Sequence, residues 1–210
     1  MPLARRTHLD GVVRPFLWGL LPDNERVLER WAQTYRVSAG NPFALLRHVG
    51  EDCAGAAQFV APNRVDALLE ADGGVEPLSD DEMAERLRIL RSDPTSWHAR
   101  DSGQFSLAGA QAKTALCLDA GTGQWGEPWG AIPTTHILKP AVAGLDEHDL
   151  NEHLCLAAAA RSGLQVARSF VATFNGERAI VVERYDRLQQ KHGPSTRVHQ
   201  EDMCQARGMH

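Results

Sequence analysis

A short run of small residues is the part of this sequence best suited to chemistry. Residues 105–118 read FSLAGAQAKTALCL, in which a bend separates two segments typical of strands. A bend without bulky side chains lets backbone N–H groups approach an anion, and a nearby lysine adds a fixed positive charge. The candidate phosphate-binding loop, called the small-residue loop below, consists of Ala108, Gly109, Ala110, Gln111, Ala112 and Lys113. An ordinary tight hairpin is the alternative, because established phosphate-binding patterns contain more glycines.

Two further groups of polar residues stand where strands and helices begin or end. Lys139 closes the run HILK, and Glu152 falls in the first turn of a predicted helix. Glu183, Arg184 and Tyr185 follow a continuous apolar run, which is typical of a strand covered on both faces. Each position also has an ordinary explanation. A lysine at a strand end normally reaches solvent, and the helix dipole favours a carboxylate in the first turn.

Eight short motifs occur in an order typical of one protein family. They are GLLPDN at 19–24, NPFALL at 41–46, DCAGA at 52–56, SLAGAQAKTA at 106–115, TTHILKP at 134–140, NE at 151–152, VERYDR at 182–187 and QEDMCQ at 200–205. Together they resemble the HipA family of serine/threonine kinases, which act as toxins of bacterial toxin–antitoxin pairs. The resemblance covers nearly the whole chain, with one departure, since Ala112 stands where glutamate is common.

The resemblance implies an ATP site built around a lysine. Lys139 matches the kinase lysine that holds ATP phosphates, and Glu152 matches its carboxylate partner. Ser106 matches a serine whose autophosphorylation ejects the loop and switches the kinase off, because added negative charge repels ATP. The implied ATP contacts are Ala108, Gly109, Ala110, Gln111, Ala112, Lys113, Lys139, Glu183, Arg184 and Tyr185.

The resemblance also predicts what this chain lacks. Family members have an extra subdomain before the point that matches Met1, and they continue beyond residues 200–205 into a helical lobe. That lobe holds the catalytic aspartate, an asparagine and a metal-binding aspartate. We therefore expect the front half of a kinase, with no catalytic residue and no metal ligand, although ATP and Mg²⁺ are the implied cofactors.

The expected function is that of a partial, ATP-binding serine/threonine kinase toxin. The alternatives are a non-catalytic interaction module, or a split-kinase fragment that binds an antitoxin or a complementary kinase half. The implied partners are a DNA-binding antitoxin of the HipB type and a protein substrate in translation, such as an aminoacyl-tRNA synthetase.

Composition narrows the class of protein further. The formal net charge is −5 and the pI is near 6.0, which argues against direct nucleic-acid binding because that needs a basic surface. The four cysteines are scattered and include no C-x-x-C pair, as expected of reduced thiols. No apolar run approaches the length of a membrane span. We expect a cytoplasmic protein that does not contact the membrane.

Caps, turns and apolar periodicity predict an α+β fold in two parts. Residues 1–100 form a mainly helical subdomain, in which helices begin at Asp23 or Asn24, at Asn41 and at Ser79, and residues 1–22 are extended or irregular. The order of strands and helix in residues 101–210 is that of an antiparallel, kinase-like N-lobe, and residues 92–104 are the linker. The family resemblance implies that this lobe is truncated before the helical C-lobe.

Five local predictions concern the second part and the region before it. Residues 106–118 form a hairpin around the loop, residues 54–61 a short strand, and residues 121–133 a connection. A helix from about residue 146 ends at Gly163, and Asn175 with Gly176 forms the turn of a second hairpin.

Overall fold

The computed structural model describes residues 7–70, 72–97, 105–119, 121–190 and 195–209. In chain order its elements are α1 (Asp10–Trp18), α2 (Glu25–Tyr35), α3 (Pro42–Val49), β1 (Asp52–Cys53), a 3-10 helix (Pro62–Arg64), α4 (Val65–Leu69), β2 (Gly73–Pro77), α5 (Asp80–Ser92), β3 (Phe105–Ser106), β4 (Thr114–Leu118), β5 (Trp125–Gly130), β6 (His136–Pro140), α6 (His148–Arg161), β7 (Ser169–Phe174), β8 (Glu177–Glu183), β9 (Arg187–Leu188), β10 (Thr196–Arg197) and α7 (Met203–Arg207). The α+β class is therefore confirmed.

The chain divides into two compact units. The first comprises Met1–Val65, Gly103–Ala110 and Arg197–His210, and the second comprises Asp66–Ser102 and Gln111–Thr196. The chain thus changes unit several times instead of once near residue 100, and β2 and α5 belong with the later strands. The predicted linker at residues 92–104 lies partly outside the described residues, which omit 98–104.

The first unit is mainly helical, and local caps explain where two of its helices begin. The Asn24 side chain accepts a hydrogen bond from the backbone N–H of Arg26 at the start of α2. The Asn41 side chain accepts one from Ala44 at the start of α3, where Pro42 occupies the first position. Both predicted starts are confirmed.

Helix α1 contradicts the prediction that residues 1–22 are extended or irregular. It has no side-chain cap and contains Pro15, so the local signals for a helix are weak. It forms because tertiary packing buries Phe16 and Leu17 on one face. Gln205 of α7 also donates a hydrogen bond to the Phe16 carbonyl, at 2.9 Å.

The second unit is built on a six-stranded antiparallel sheet in the order β2-β5-β4-β6-β8-β7. Helix α5 packs Met83, Ala84 and Leu87 into the core formed with Leu116 and Leu138. Its start is the predicted capping box, in which Ser79 and Glu82 satisfy each other's backbone N–H groups.

The hairpin predicted at Asn175 and Gly176 is also confirmed. Phe174 pairs with Glu177 across the turn, and Asn175 and Gly176 have φ of 44° and 88°. Two residues in the left-handed region are what a tight hairpin of this type requires.

Three strand predictions are wrong. Residues 106–118 do not form a hairpin, since β3 pairs in parallel with β1 whereas β4 pairs with β5 and β6. Residues 54–61 contain no strand. Strand β5 runs through the predicted connection and is held between β2 and β4, despite a sequence containing glycine and proline.

The helix predicted from about residue 146 is confirmed with shifted bounds, as α6 spans His148–Arg161 and Gly163 follows with φ 85°. Within the described ranges, each helix is too short or too polar to cross a lipid bilayer.

Candidate functional site

The centre of the candidate site is an ion pair between β6 and α6 in the second unit. Lys139 lies on β6, and its Nζ is 2.6 Å from Oε1 of Glu152 on the first turns of α6. The two side chains are 22% and 26% exposed, so the pair is shielded from bulk water yet accessible to a ligand. Sequence resemblance predicted these partners, and the structure brings them together.

A second ion pair fixes the start of α6, and therefore the position of Glu152. Arg178 on β8 donates from Nε and Nη2 to the two carboxylate oxygens of Asp149, at 2.5 and 2.9 Å. Arg178 also donates to Glu147 at 2.7 Å. Such two-pronged pairing is rigid because the guanidinium and carboxylate are both planar.

The surroundings of Asp149 set its protonation. Burial acts to raise the pKa of this fully buried carboxyl, but hydrogen bonds from Arg178 and the Leu150 backbone outweigh it and hold the pKa below its usual range. The hydrogen bonds that Arg178 donates, to Asp149 foremost and then to Glu147, raise the pKa of Arg178. Both groups are therefore charged at neutral pH. Sequence reasoning missed this pair, since no local pattern links Asp149 to Arg178.

The second half of the small-residue loop is held by side-chain contacts within the second unit. The Gln111 amide donates to the carbonyl of Pro140, the residue after Lys139, at 3.1 Å. Ala112 and Lys113 are buried. The Lys113 ammonium lies over the Trp97 ring, 4.3 Å from its centroid, so the loop lysine is directed onto this ring.

The first half of the loop belongs to the first unit. Ser106 is fully buried and its hydroxyl donates to the Leu20 carbonyl at 2.7 Å. Gly109, with φ of 103°, forms a bridge with Pro22 and accepts a hydrogen bond from the Asp23 N–H at 3.3 Å. The positive φ explains the glycine at this position. Ala108 and Ala110 on either side are exposed.

The segment after β8 contains one exposed residue between buried ones. The Tyr185 side chain is 70% exposed, whereas Arg184 and Asp186 are buried. Arg184 donates to Asp186 at 3.1 and 2.8 Å and to Thr134 at 2.8 Å. Its backbone N–H donates to the Thr135 carbonyl, and its own carbonyl accepts from Arg187. The Arg184 side chain is therefore part of the interior and is not presented to a ligand.

The strand register relates this segment to Lys139. On the neighbouring strands β6 and β8, Lys139 pairs with Ile180 and His136 pairs with Glu183. Three residues along a strand correspond to roughly 10 Å. His136 lies against Trp125 and Phe170, and burial lowers its pKa more than the nearby charge of Glu183 raises it. The end of the sheet beside Glu183 is therefore lined by neutral rings.

The described residues offer no cluster of three or more His, Cys, Asp or Glu side chains suited to a metal ion. We therefore assign no metal ligands within these ranges. The arrangement can hold an anionic group at the Lys139 ammonium, and a planar group beside the end of β8.

Comparisons with known proteins agree on one family. The family model described as the HipA-like C-terminal domain matches residues 105–210, and that described as the HipA N-terminal domain matches residues 1–60. Y4mE of Sinorhizobium fredii is 40% identical over 212 residues, covering 99% of this chain and 48% of that protein.

Two further matches come from Shewanella oneidensis. The serine/threonine-protein kinase toxin HipA is 32% identical over 219 residues, covering 99% of this chain and 47% of its own length. A chain in the solved complex of HipA, HipB and operator DNA has a TM-score of 0.76 at 32% identity, with 97% of this chain and 46% of that chain covered. The present chain thus spans just under half the length of these relatives.

Proposed function

The chain belongs to the HipA family, and on that basis we propose that its second unit is the ATP-binding N-lobe of a serine/threonine kinase toxin. The observation that carries the proposal is the ion pair of Lys139 and Glu152 between a sheet strand and the helix that follows it. In protein kinases a strand lysine paired with a helix glutamate positions the nucleotide phosphates. The order of strands and helix in this unit supports the same assignment.

The residues take different parts in the proposed site. The Lys139 ammonium binds phosphate oxygens, and Glu152 holds that ammonium in place. Backbone groups of Gln111 and Ala112 lie on the phosphate side. Glu183 and Tyr185 bind the adenine edge through their backbone, while Arg184 supports the segment from the interior. Residues 108–110 enter the proposal through family resemblance alone.

Catalysis itself needs groups that we do not assign within the described residues. Mg²⁺ would supply charge neutralisation at the phosphates, but the described ranges contain no cluster of three or more His, Cys, Asp or Glu side chains to hold it. Removing one group that stabilises transition-state charge typically costs roughly a hundred- to thousandfold in rate. We therefore propose nucleotide binding for this chain, and phosphorylation of a protein in translation for the whole kinase.

Two regulatory features follow from the same proposal. Ser106 is the autophosphorylation site, and its burial against the Leu20 carbonyl requires that the loop leave this position before a kinase can reach the hydroxyl. A DNA-binding antitoxin of the HipB type is the proposed partner, as in the Shewanella oneidensis complex. Co-purification of the chain with a co-expressed antitoxin of the HipB type would test that partner.

Titration calorimetry with ATP and Mg²⁺ tests the proposed function. The wild-type chain should bind saturably, and Lys139→Ala should abolish the signal because it removes the phosphate-binding cation. Arg161→Ala is the matched control, since it removes an exposed positive charge at the end of α6. Absence of binding by a folded wild-type chain, or equal loss in both variants, would refute the ATP site.

A further inference from the structure

The loop lysine, Lys113, is buried against an aromatic ring. Lys113 is only 4% exposed, and its ammonium is 4.3 Å from the centroid of the Trp97 ring. A cation within about 6 Å of an indole face is attracted by the ring's quadrupole, most strongly where water is excluded. The contact therefore has the geometry and the dry surroundings of a strong cation–π pair.

Trp97 is itself held in place. It is 1% exposed, and its Nε1 donates to the Pro94 carbonyl at 3.0 Å. Just before it, the Asp93 carboxylate accepts hydrogen bonds from the backbone and hydroxyl of Thr95. The ring is thus a fixed platform beyond the end of α5.

A lysine that binds phosphate needs an ammonium open to the ligand, whereas this one is covered. We propose that Lys113 is a positioning residue, which anchors the second half of the small-residue loop on Trp97 and does not bind phosphate itself. The role in nucleotide binding rests on the function proposed above. Gln111 provides the other anchor, through its hydrogen bond to the Pro140 carbonyl beside Lys139. Together they fix the backbone between residues 111 and 113 at the strand end that carries the phosphate-binding lysine.

The contact can be tested without nucleotide. The sequence contains only three lysines, Lys113, Lys139 and Lys191, so selective ¹³C-lysine labelling gives a simple NMR spectrum. One set of ε-CH₂ protons should be shifted upfield by an aromatic ring, and Trp97→Leu should abolish that shift. Trp129→Leu, at an exposed tryptophan on β5, should leave it unchanged. If no lysine has a ring-shifted signal, or if the shift survives Trp97→Leu, the anchor is refuted.

Native-state cleavage by a lysine-specific protease provides a second, nucleotide-free measurement. Cleavage at Lys113 should accelerate by roughly tenfold or more in Trp97→Leu. This is the factor expected when a cation–π contact that is shielded from water is lost. Trp97→Phe keeps a ring and should remain near the wild-type rate. An unchanged rate in Trp97→Leu would contradict the proposal.

Nucleotide affinity separates an anchor from a phosphate ligand. For an anchor, Lys113→Met and Trp97→Leu weaken ATP binding by the same factor, the double variant is no worse, and Lys113→Arg restores binding. For a phosphate ligand, Lys113→Met weakens binding but Trp97→Leu does not, and that result would overturn the proposal. Lys113→Met keeps the indole packing, so it remains informative if Trp97→Leu does not fold. If the wild-type chain binds no ATP, the proposed function fails, while the NMR and cleavage results still decide the anchor.

Discussion

Replacing Glu152 with glutamine removes the negative charge opposite Lys139 and keeps the shape of the side chain. Exposed ion pairs contribute about 0.2–1 kcal/mol, and breaking a buried pair costs about 3–5 kcal/mol. The two side chains are 22% and 26% exposed, which places the pair between these limits. We expect a coupling free energy between Lys139 and Glu152 of about 1–1.5 kcal/mol.

A double-mutant cycle measures this coupling. Urea unfolding of the wild type, Lys139→Met, Glu152→Gln and the double variant gives the four free energies of unfolding. The pair of Arg168 and Glu183 is a matched control, because its atoms are 3.9 Å apart and its side chains are 88% and 38% exposed. The control coupling should be below about 0.5 kcal/mol. A Lys139–Glu152 coupling no larger than that of the control would refute the reasoning.

Four further predictions concern other parts of the fold. The pKa of Asp149 is lowered in the folded state, so the stability that this carboxylate contributes is present above its unfolded pKa of about 4 and is lost as pH falls. The free energies of unfolding of Asp149→Asn and wild type, measured in urea, should therefore converge in acid. Gly176→Ala should cost about 1 kcal/mol in the free energy of unfolding, because φ is 88°. Leu138→Ala should cost about 3 kcal/mol in urea unfolding, because the side chain is fully buried on a central strand. Ser106→Glu should increase proteolysis of the segment around residue 106, because a carboxylate cannot occupy this buried position without a partner.

Each of these predictions has a control and an opposing outcome. Gly11→Ala, at a helical glycine with open space around it, should be neutral or stabilising. An equal cost at Gly11 and Gly176 would show that the positive φ of Gly176 is not the cause of the destabilisation. Leu145→Ala, at an exposed leucine, should cost little compared with Leu138→Ala. Ser106→Ala should remain resistant to protease, since it fits the same space. A constant stability difference between Asp149→Asn and wild type across acidic pH would contradict the pKa assignment.

Local chemistry accounts for the parts of the fold that the sequence predicts well. The caps at Asn24 and Asn41, the capping box at Ser79 and the turn at Asn175 each involve residues within a few positions of one another. Their side chains determine their own backbone, so their sequence patterns are sufficient.

The elements that were missed depend on distant partners. Strand β5 exists because β2 and β4 hydrogen-bond to it, and β3 exists because it pairs with β1. Nothing in the two-residue strand at Phe105–Ser106 indicates a parallel partner more than fifty positions away.

The candidate site also contains residues that the sequence predicts well and residues whose orientation depends on distant neighbours. Family motifs predicted Lys139 and Glu152, which lie thirteen residues apart and pair in the structure. They also led us to expect that Lys113 and the backbone of residues 183–185 contact ATP. The structure directs the Lys113 ammonium onto the Trp97 ring and the Arg184 side chain onto Thr134. A motif records which residue type occurs, but the direction of a side chain depends on its neighbours in three dimensions.

The most direct test of the proposed ATP site is to map the nucleotide onto the chain by NMR. Adding ATP and Mg²⁺ to the ¹⁵N-labelled protein should shift the amide signals of Gln111, Ala112, Lys139, Glu183 and Tyr185 most strongly. The same titration of Lys139→Ala should shift none of them. Signals that move only elsewhere, for example along α1 and α3 of the first unit, would contradict the account and show that the Lys139–Glu152 pair is not a nucleotide site.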